Sequence, residues 1–237
     1  MNVVGSTIGR ETDAGIYLHA GPEIGVASTK AFTAQVMVFS MLSILIGYKK
    51  GRMNKQQYEN HVKSLSQIPA QIAHILNNTS RVLEASKVYR YAQHMFFFGR
   101  GFNFPVALEG ALKLKEISYI HAEGYAAAEL KHGPIALIHP SMPVVFVAPK
   151  SDSAYEKIKA NVLEAASQKA SIVIITEEGN NDFDDIAEFV FRIPRSEECF
   201  VPLLAVIPLQ LLSYHIADMR GLDVDKPRNL AKSVTVE

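Results

Sequence analysis

The 237-residue sequence predicts an α/β fold, a three-layer α/β/α sandwich built on a parallel sheet. Three observations carry that expectation. Short continuous apolar runs recur, such as Met95 to Phe98, Val144 to Val147 and Ser171 to Ile175, and runs of this kind belong to strands covered on both faces. Longer segments with helical apolar spacing separate them. Turn residues close the runs, as Gly99-Arg100-Gly101 and Ala148-Pro149 do. A hydrophobic share of 48% with 20% charged residues excludes a disordered or coiled-coil chain.

In chain order, Ile16 to Leu18 reads as a short strand. Gly21-Pro22-Glu23-Ile24-Gly25 is a Gly-rich loop entering a helix, with Ser28 a candidate N-cap whose end would attract anions; a cap without a ligand fits equally. The apolar stretch from Ala31 to Tyr48 contains Thr33, Gln35, Ser40 and Ser43, and Phe200 to Leu212 contains Pro202, Pro208 and Gln210. Both fall short of a membrane span and are expected to be buried core helices. Residues 54–93 form a helical bridge anchored by Ile68, Ile72, Ile75, Val82, Leu83 and Val88. A strand at Met95 to Phe98, a helix from Pro105 to Ser118, a strand at Val144 to Val147 and a helix from Ala154 to Lys169 follow. Strands at Ser171 to Ile175 and Phe189 to Phe191 precede a last helix from Val201 to Arg220, stopped by Gly221.

An internal echo suggests a second unit. Ile16 to Leu18, Glu23, a long apolar helix and Gly47 parallel Phe191 to Ile193, Glu198, a long apolar helix and Gly221. Gln35 and Gln210 each stand 12 residues after their glutamate, and Val26 and Val201 each stand three after it. The two glutamates are 175 residues apart, so the earlier counterpart of the strand at Phe96 would fall before residue 1. The expected organisation is one complete unit plus the C-terminal remnant of another, in a fragment of something larger. Residues 1–50 would be the remnant, 51–83 connecting helices, 84–227 the complete unit and 228–237 a tail.

Charge narrows the functions. Lys and Arg number 24 and Asp and Glu also 24, so no cationic excess favours nucleic acid. The first residues lack a secretory leader, and the single Cys199 can form no internal disulfide, which fits a reducing compartment. No paired spacing among the eight histidines suggests a metal site.

Three segments could carry chemistry. Glu109, Lys113 and Glu116, spaced four and three apart, share one helix face. They could hold a proton-transfer carboxylate beside a tuning ammonium, or be a solvated salt-bridge face. His132 stands at a helix-to-loop break before Gly133-Pro134, suited to acid–base work or to an exposed helix end. Lys232 lies in the tail 228–237; it is a Schiff-base nucleophile only if a pocket desolvates it, and spacing alone does not choose. Gly99 to Gly101 and Lys150 to Ser153 follow strands, where open sheets commonly bind ligands.

Taken together, Glu23 to Thr33, Ala107 to Glu123, Glu129 to Pro134 and Arg228 to Glu237 resemble the glutamine–fructose-6-phosphate aminotransferase family over essentially the whole chain. The resemblance implies a sugar isomerase (SIS) fold, a glutaminase domain in the full-length enzyme, and conversion of fructose 6-phosphate to glucosamine 6-phosphate with glutamine-derived ammonia. It implies that Lys232 forms a Schiff base with the opened ketose, that Glu116 moves a proton between C1 and C2, and that Lys113 sits beside the reacting oxygens. His132 would assist ring opening from a neighbouring subunit, which requires at least a dimer. Val26, Ser28, Ala231 and Glu109 would contribute to the sugar site, with the tail closing over it. The resemblance implies a cytoplasmic protein and calls for no cofactor, metal, nucleic acid or membrane. The glutaminase domain and the Ser/Thr-rich phosphate loop of that family have no counterpart here, so the 237 residues alone are expected to bind fructose 6-phosphate poorly. The rivals are another sugar-phosphate isomerase or deaminase of the same fold, and a non-catalytic sugar-phosphate-binding module.

Overall fold

A computed structural model describes residues 1–232. The elements run α1 (Thr7–Glu11), α2 (Lys30–Lys49), α3 (Lys55–Asn77), α4 (Ser80–Tyr89), β1 (His94–Gly99), α5 (Asn103–Ser118), β2 (His121–Ala126), β3 (Pro143–Val147), α6 (Tyr155–Ser167), β4 (Ser171–Glu177), β5 (Phe189–Ile193) and α7 (Val201–Met219). Two short 3₁₀ turns, Ala127–His132 and Pro134–Leu137, link β2 to β3. The five strands are all parallel in the order β2-β1-β3-β4-β5.

Strand alternation builds the three layers. Phe97, Val145, Val147, Val173, Ile175 and Phe191 face α4, α5 and α7, with α3 packed outside them. Phe96, Phe98, Val144, Phe146, Ile172 and Ile174 face α6 and the 3₁₀ turns. Gly99 shows how closely β1 turns into α5. A Cβ there would lie 2.1 Å from the carbonyl oxygen of Asn103, so only glycine admits the approach.

Several expectations are corrected. Ile16 to Leu18 forms no strand, because no sheet lies beside it; the Leu18 N–H donates instead to the Met1 carbonyl at 2.7 Å. The α7 segment is a core helix with 72% of its apolar window buried, but the α2 window is only 11% buried and leaves Phe39, Met41 and Ile46 exposed. Among the described residues, helix α2 packs mainly on α3 and α7, and these contacts leave part of its apolar surface exposed. Val88 is exposed, and Tyr89 takes its place as the anchor, its hydroxyl paired to Ser171 at 2.6 Å. Strand β2 escapes a sequence reading because His121-Ala-Glu-Gly-Tyr-Ala126 is a half-exposed edge strand with no apolar run. Ser28 caps nothing: Thr29 occupies the N-cap of α2, and its side chain makes no capping bond.

Candidate active site

The usual ligand crevice of such a sheet lies at the C-terminal strand ends, between β1 and β3, where the order reverses. Here the protein's own side chains fill it. Asn103 Nδ2 donates to Asp152 Oδ2 at 2.9 Å, and Arg100 Nη2 donates to Asn161 Oδ1 at 2.9 Å. The Ser151 N–H donates to the Glu177 carboxylate at 3.1 Å, and the Ser153 N–H donates to Glu198 at 2.8 Å. Carboxylates thus occupy the amides that would cradle an anion.

A different cavity, of about 200 Å³, lies behind the helical layer. Its walls are Lys113 and Ile117 from α5, Gln210 and Tyr214 from α7, Glu23, Ile24, Gly25, Ala27 and Thr29 from the N-terminal loop with Lys30 at the start of α2, and Val224 with Asp225 after α7. The N-terminal loop is tied to the segment after α7 by a hydrogen bond from Val26 N–H to the Asp225 carbonyl at 2.9 Å.

The α5 face supplies the charges. Lys113 is 3% exposed, which rejects the solvated salt-bridge face. Its Nζ lies 2.5 Å from Glu116 Oε2 and 3.6 Å from Glu109 Oε1. Helical spacing of four and three places both carboxylates around one ammonium. Burial pushes the Glu109 carboxyl above its usual range; Lys113 opposes the shift and Glu116 adds to it. A carboxyl whose folded-state affinity for a proton exceeds its unfolded affinity is most favourable to folding at low pH. Its penalty grows as pH rises from the ordinary Glu range, near 4.3, through the raised folded value. Glu109→Gln is therefore expected to gain thermal stability relative to the parent as pH rises from about 4 to 7, and to lose that advantage below about 4. Melting curves at matched ionic strength check it; an advantage that shrinks with rising pH refutes it.

The tail supplies an amine. The Lys232 ammonium donates to Gly25 O at 2.9 Å, Glu23 Oε1 at 3.2 Å and Val26 O at 3.3 Å. Arg228 anchors the approach: its N–H donates to Tyr119 Oη at 2.8 Å and its guanidinium stacks 4.3 Å from that ring. Tyr119 takes φ 60° as the C-cap of α5, so the helix end and the tail are pinned together. Ala231 is exposed beside Lys232, and Val26 and Ser28 lie in the same loop without lining the cavity. The tail's last five positions, Ser233 to Glu237, lie outside the described residues.

His132 is not brought to this cavity within one chain. It ends the first 3₁₀ turn, its side chain 71% exposed and its Nδ1 2.8 Å from Glu129 Oε2. That turn packs with α6, on the opposite sheet face from α5 and α7. The residues that sequence spacing missed as a site are Gln210 and Tyr214; the echo between Gln35 and Gln210 is the one signal that singled out Gln210. Through-space contact also gathers His61, Glu197 and Cys199 within 4.8 Å, which linear spacing could not reveal. Glu197 already accepts from Ser64 and pairs with His61, a link between α3 and the start of α7.

Comparison with known proteins places this geometry. The SIS domain model matches residues 1–45 and 89–219. The chain is 54% identical over 237 residues to glutamine–fructose-6-phosphate aminotransferase (isomerizing) of Chlorobaculum tepidum, and 51% identical over 236 residues to that of Bacteroides thetaiotaomicron. In each case all of this chain is covered, and it spans 38% of the relative's length. Among solved structures, the C-terminal domain of glucosamine-fructose-6-phosphate aminotransferase from Francisella tularensis superposes with a TM-score of 0.89 at 38% identity, over 95% of this chain and 63% of that one. Glucosamine-6-phosphate deaminase from Thermotoga maritima gives 0.71 at 26% identity, over 98% of this chain and 64% of that one. With the family model covering both the N-terminal segment and the sheet unit, the chain belongs to the SIS domain family.

Proposed function

We propose that this chain is the C-terminal isomerase part of a glutamine–fructose-6-phosphate aminotransferase. It makes glucosamine 6-phosphate from fructose 6-phosphate and ammonia released by a glutaminase domain elsewhere in the full-length enzyme. Residues 1–50 complete a first sugar isomerase unit, 51–83 connect, 84–227 form the second unit, and 228–237 close over the sugar. The protein works in the cytoplasm as a homo-oligomer, at least a dimer, because His132 reaches the sugar of a neighbouring subunit.

The observation that supports this reading best is the cavity that Lys113 lines and whose loop wall binds Lys232, although Lys232 and Glu116 do not themselves line it. Lys113 stands in one wall with Glu116 on its ammonium, and the opposite wall holds Glu23 and Gly25, which bind Lys232. In this reading His132 assists ring opening of the ketose. The deprotonated Lys232 amine condenses with the C2 carbonyl and releases water. Ammonia displaces the lysine, and Glu116 carries a proton between C1 and C2 while Lys113 stabilises charge on the oxygens. Glu109, Val26, Ser28 and Ala231 shape the site. The chemistry needs neither metal nor cofactor.

The test is product formation. The full-length enzyme, given fructose 6-phosphate and glutamine, is expected to release glucosamine 6-phosphate and glutamate in equal amounts by mass spectrometry. Interconversion of fructose 6-phosphate and glucose 6-phosphate alone, with no aminated product, would instead assign it to the sugar-phosphate isomerases.

A further inference from the structure

Helix α7 is apolar through its buried length, and its polar side chains are placed with care. Ser213 satisfies its hydroxyl by donating to the Leu209 carbonyl at 3.0 Å. Gln210 does not follow: its Nε2 is buried and has no acceptor among the described residues. Native proteins keep few buried donors of this kind, because an unmade hydrogen bond costs more than a made one gains.

The orphaned amide has a definite address. Gln210 lines the same cavity as Lys113, and Tyr214, one turn on, lines it too. Beside Gln210, helices α5 and α7 nearly touch: a Cβ on Gly110 would lie 2.6 Å from Leu209 Cδ1. Glu109, next to Gly110, also holds an oxygen without a hydrogen-bond partner, but it does not line the cavity. The donor is therefore the orphan that faces the cavity. The cavity's other wall carries the Glu23 and Asp225 carboxylates, which repel a phosphate and accept from hydroxyls.

We infer that Gln210 is a ligand-positioning residue: its side-chain amide donates to a hydroxyl or carbonyl oxygen at the polyol end of the sugar phosphate held against Lys113. The inference rests on the proposed reading of this cavity. It explains why α7 carries a buried donor with no acceptor among the described residues. The amide is kept ready for a ligand oxygen.

Gln210→Met in the full-length enzyme tests it, since methionine keeps the length and removes the donor. The ligand-free variant is expected to melt at the parent's temperature or above, because no hydrogen bond made among the described residues is lost. KM for fructose 6-phosphate is expected to rise about tenfold with kcat little changed, the pattern of an interaction equal in ground and transition states. Gln210→Glu, which replaces the donor by an acceptor and adds a charge, is expected to raise KM further. A clear drop in melting temperature with an unchanged KM would overturn the inference and assign the amide a structural role. Parent-like values of both would overturn it as well. If the unmodified enzyme makes no glucosamine 6-phosphate, the reading of the cavity falls and the inference falls with it. If it does, and Gln210→Met keeps the parent's KM, only the inference falls.

Discussion

Lys232→Ala in the full-length enzyme is expected to reduce synthesis of glucosamine 6-phosphate by roughly three orders of magnitude or more, with the melting temperature nearly unchanged. The small stability effect follows from the contacts. Lys232 lies on the exposed tail, and its bonds to Glu23 and to the carbonyls of Gly25 and Val26 are partly solvated. The large kinetic effect follows from chemistry. All three donors of the ammonium are engaged by three acceptors. To attack a carbonyl the amine must lose a proton and leave those acceptors, and two of the residues that hold it, Glu23 and Gly25, line the cavity. Borohydride gives a direct readout. Hydride reduction of the C=N bond between Lys232 and the sugar should leave the parent enzyme heavier by one reduced sugar phosphate and leave Lys232→Ala unlabelled. Full turnover by the alanine variant would return the chain to the isomerases and deaminases of the same fold, which need no amine at this position.

The parts legible in the sequence were those written in local patterns. Continuous apolar runs gave β1, β3 and β4, because a strand covered on both faces needs an apolar residue at every position. The Glu109, Lys113 and Glu116 face was legible as a face, but its burial was not, since spacing cannot tell which side of a helix meets water. Strand β2 was hidden because an edge strand needs little hydrophobicity. The exposure of α2 was hidden because composition reports how apolar a helix is and not what covers it. Lys232 and Glu23 are 209 residues apart, and Gln210 faces Lys113 across two helices; both relations come from chain topology. The crevice between β1 and β3 argues the same point in reverse. Its loops looked like a ligand site, yet Glu177 and Glu198, far along the chain, supply the anions that fill it.

Glu116→Gln separates catalysis from binding. Glutamine keeps the side-chain length and can accept from the Lys113 ammonium, now 2.5 Å from Glu116 Oε2, so the α5 face should persist. Lys113 stays buried and keeps Glu109 as its charged partner, which limits the loss of stability that a buried unpaired cation would cause. What glutamine cannot do is take up the C1 proton. General-base removal costs about 10²–10⁴ in kcat, and a fall of that size is expected with KM for fructose 6-phosphate nearly unchanged. Exchange of the C1 hydrogen with deuterated water should fall in parallel, because it requires the same proton transfer without the later steps. Synthesis and exchange at the parent's rates would mean that Glu116 only balances the charge of Lys113. Sugar binding without any synthesis in either form would leave the chain as a binding module, with its buried ammonium serving recognition alone.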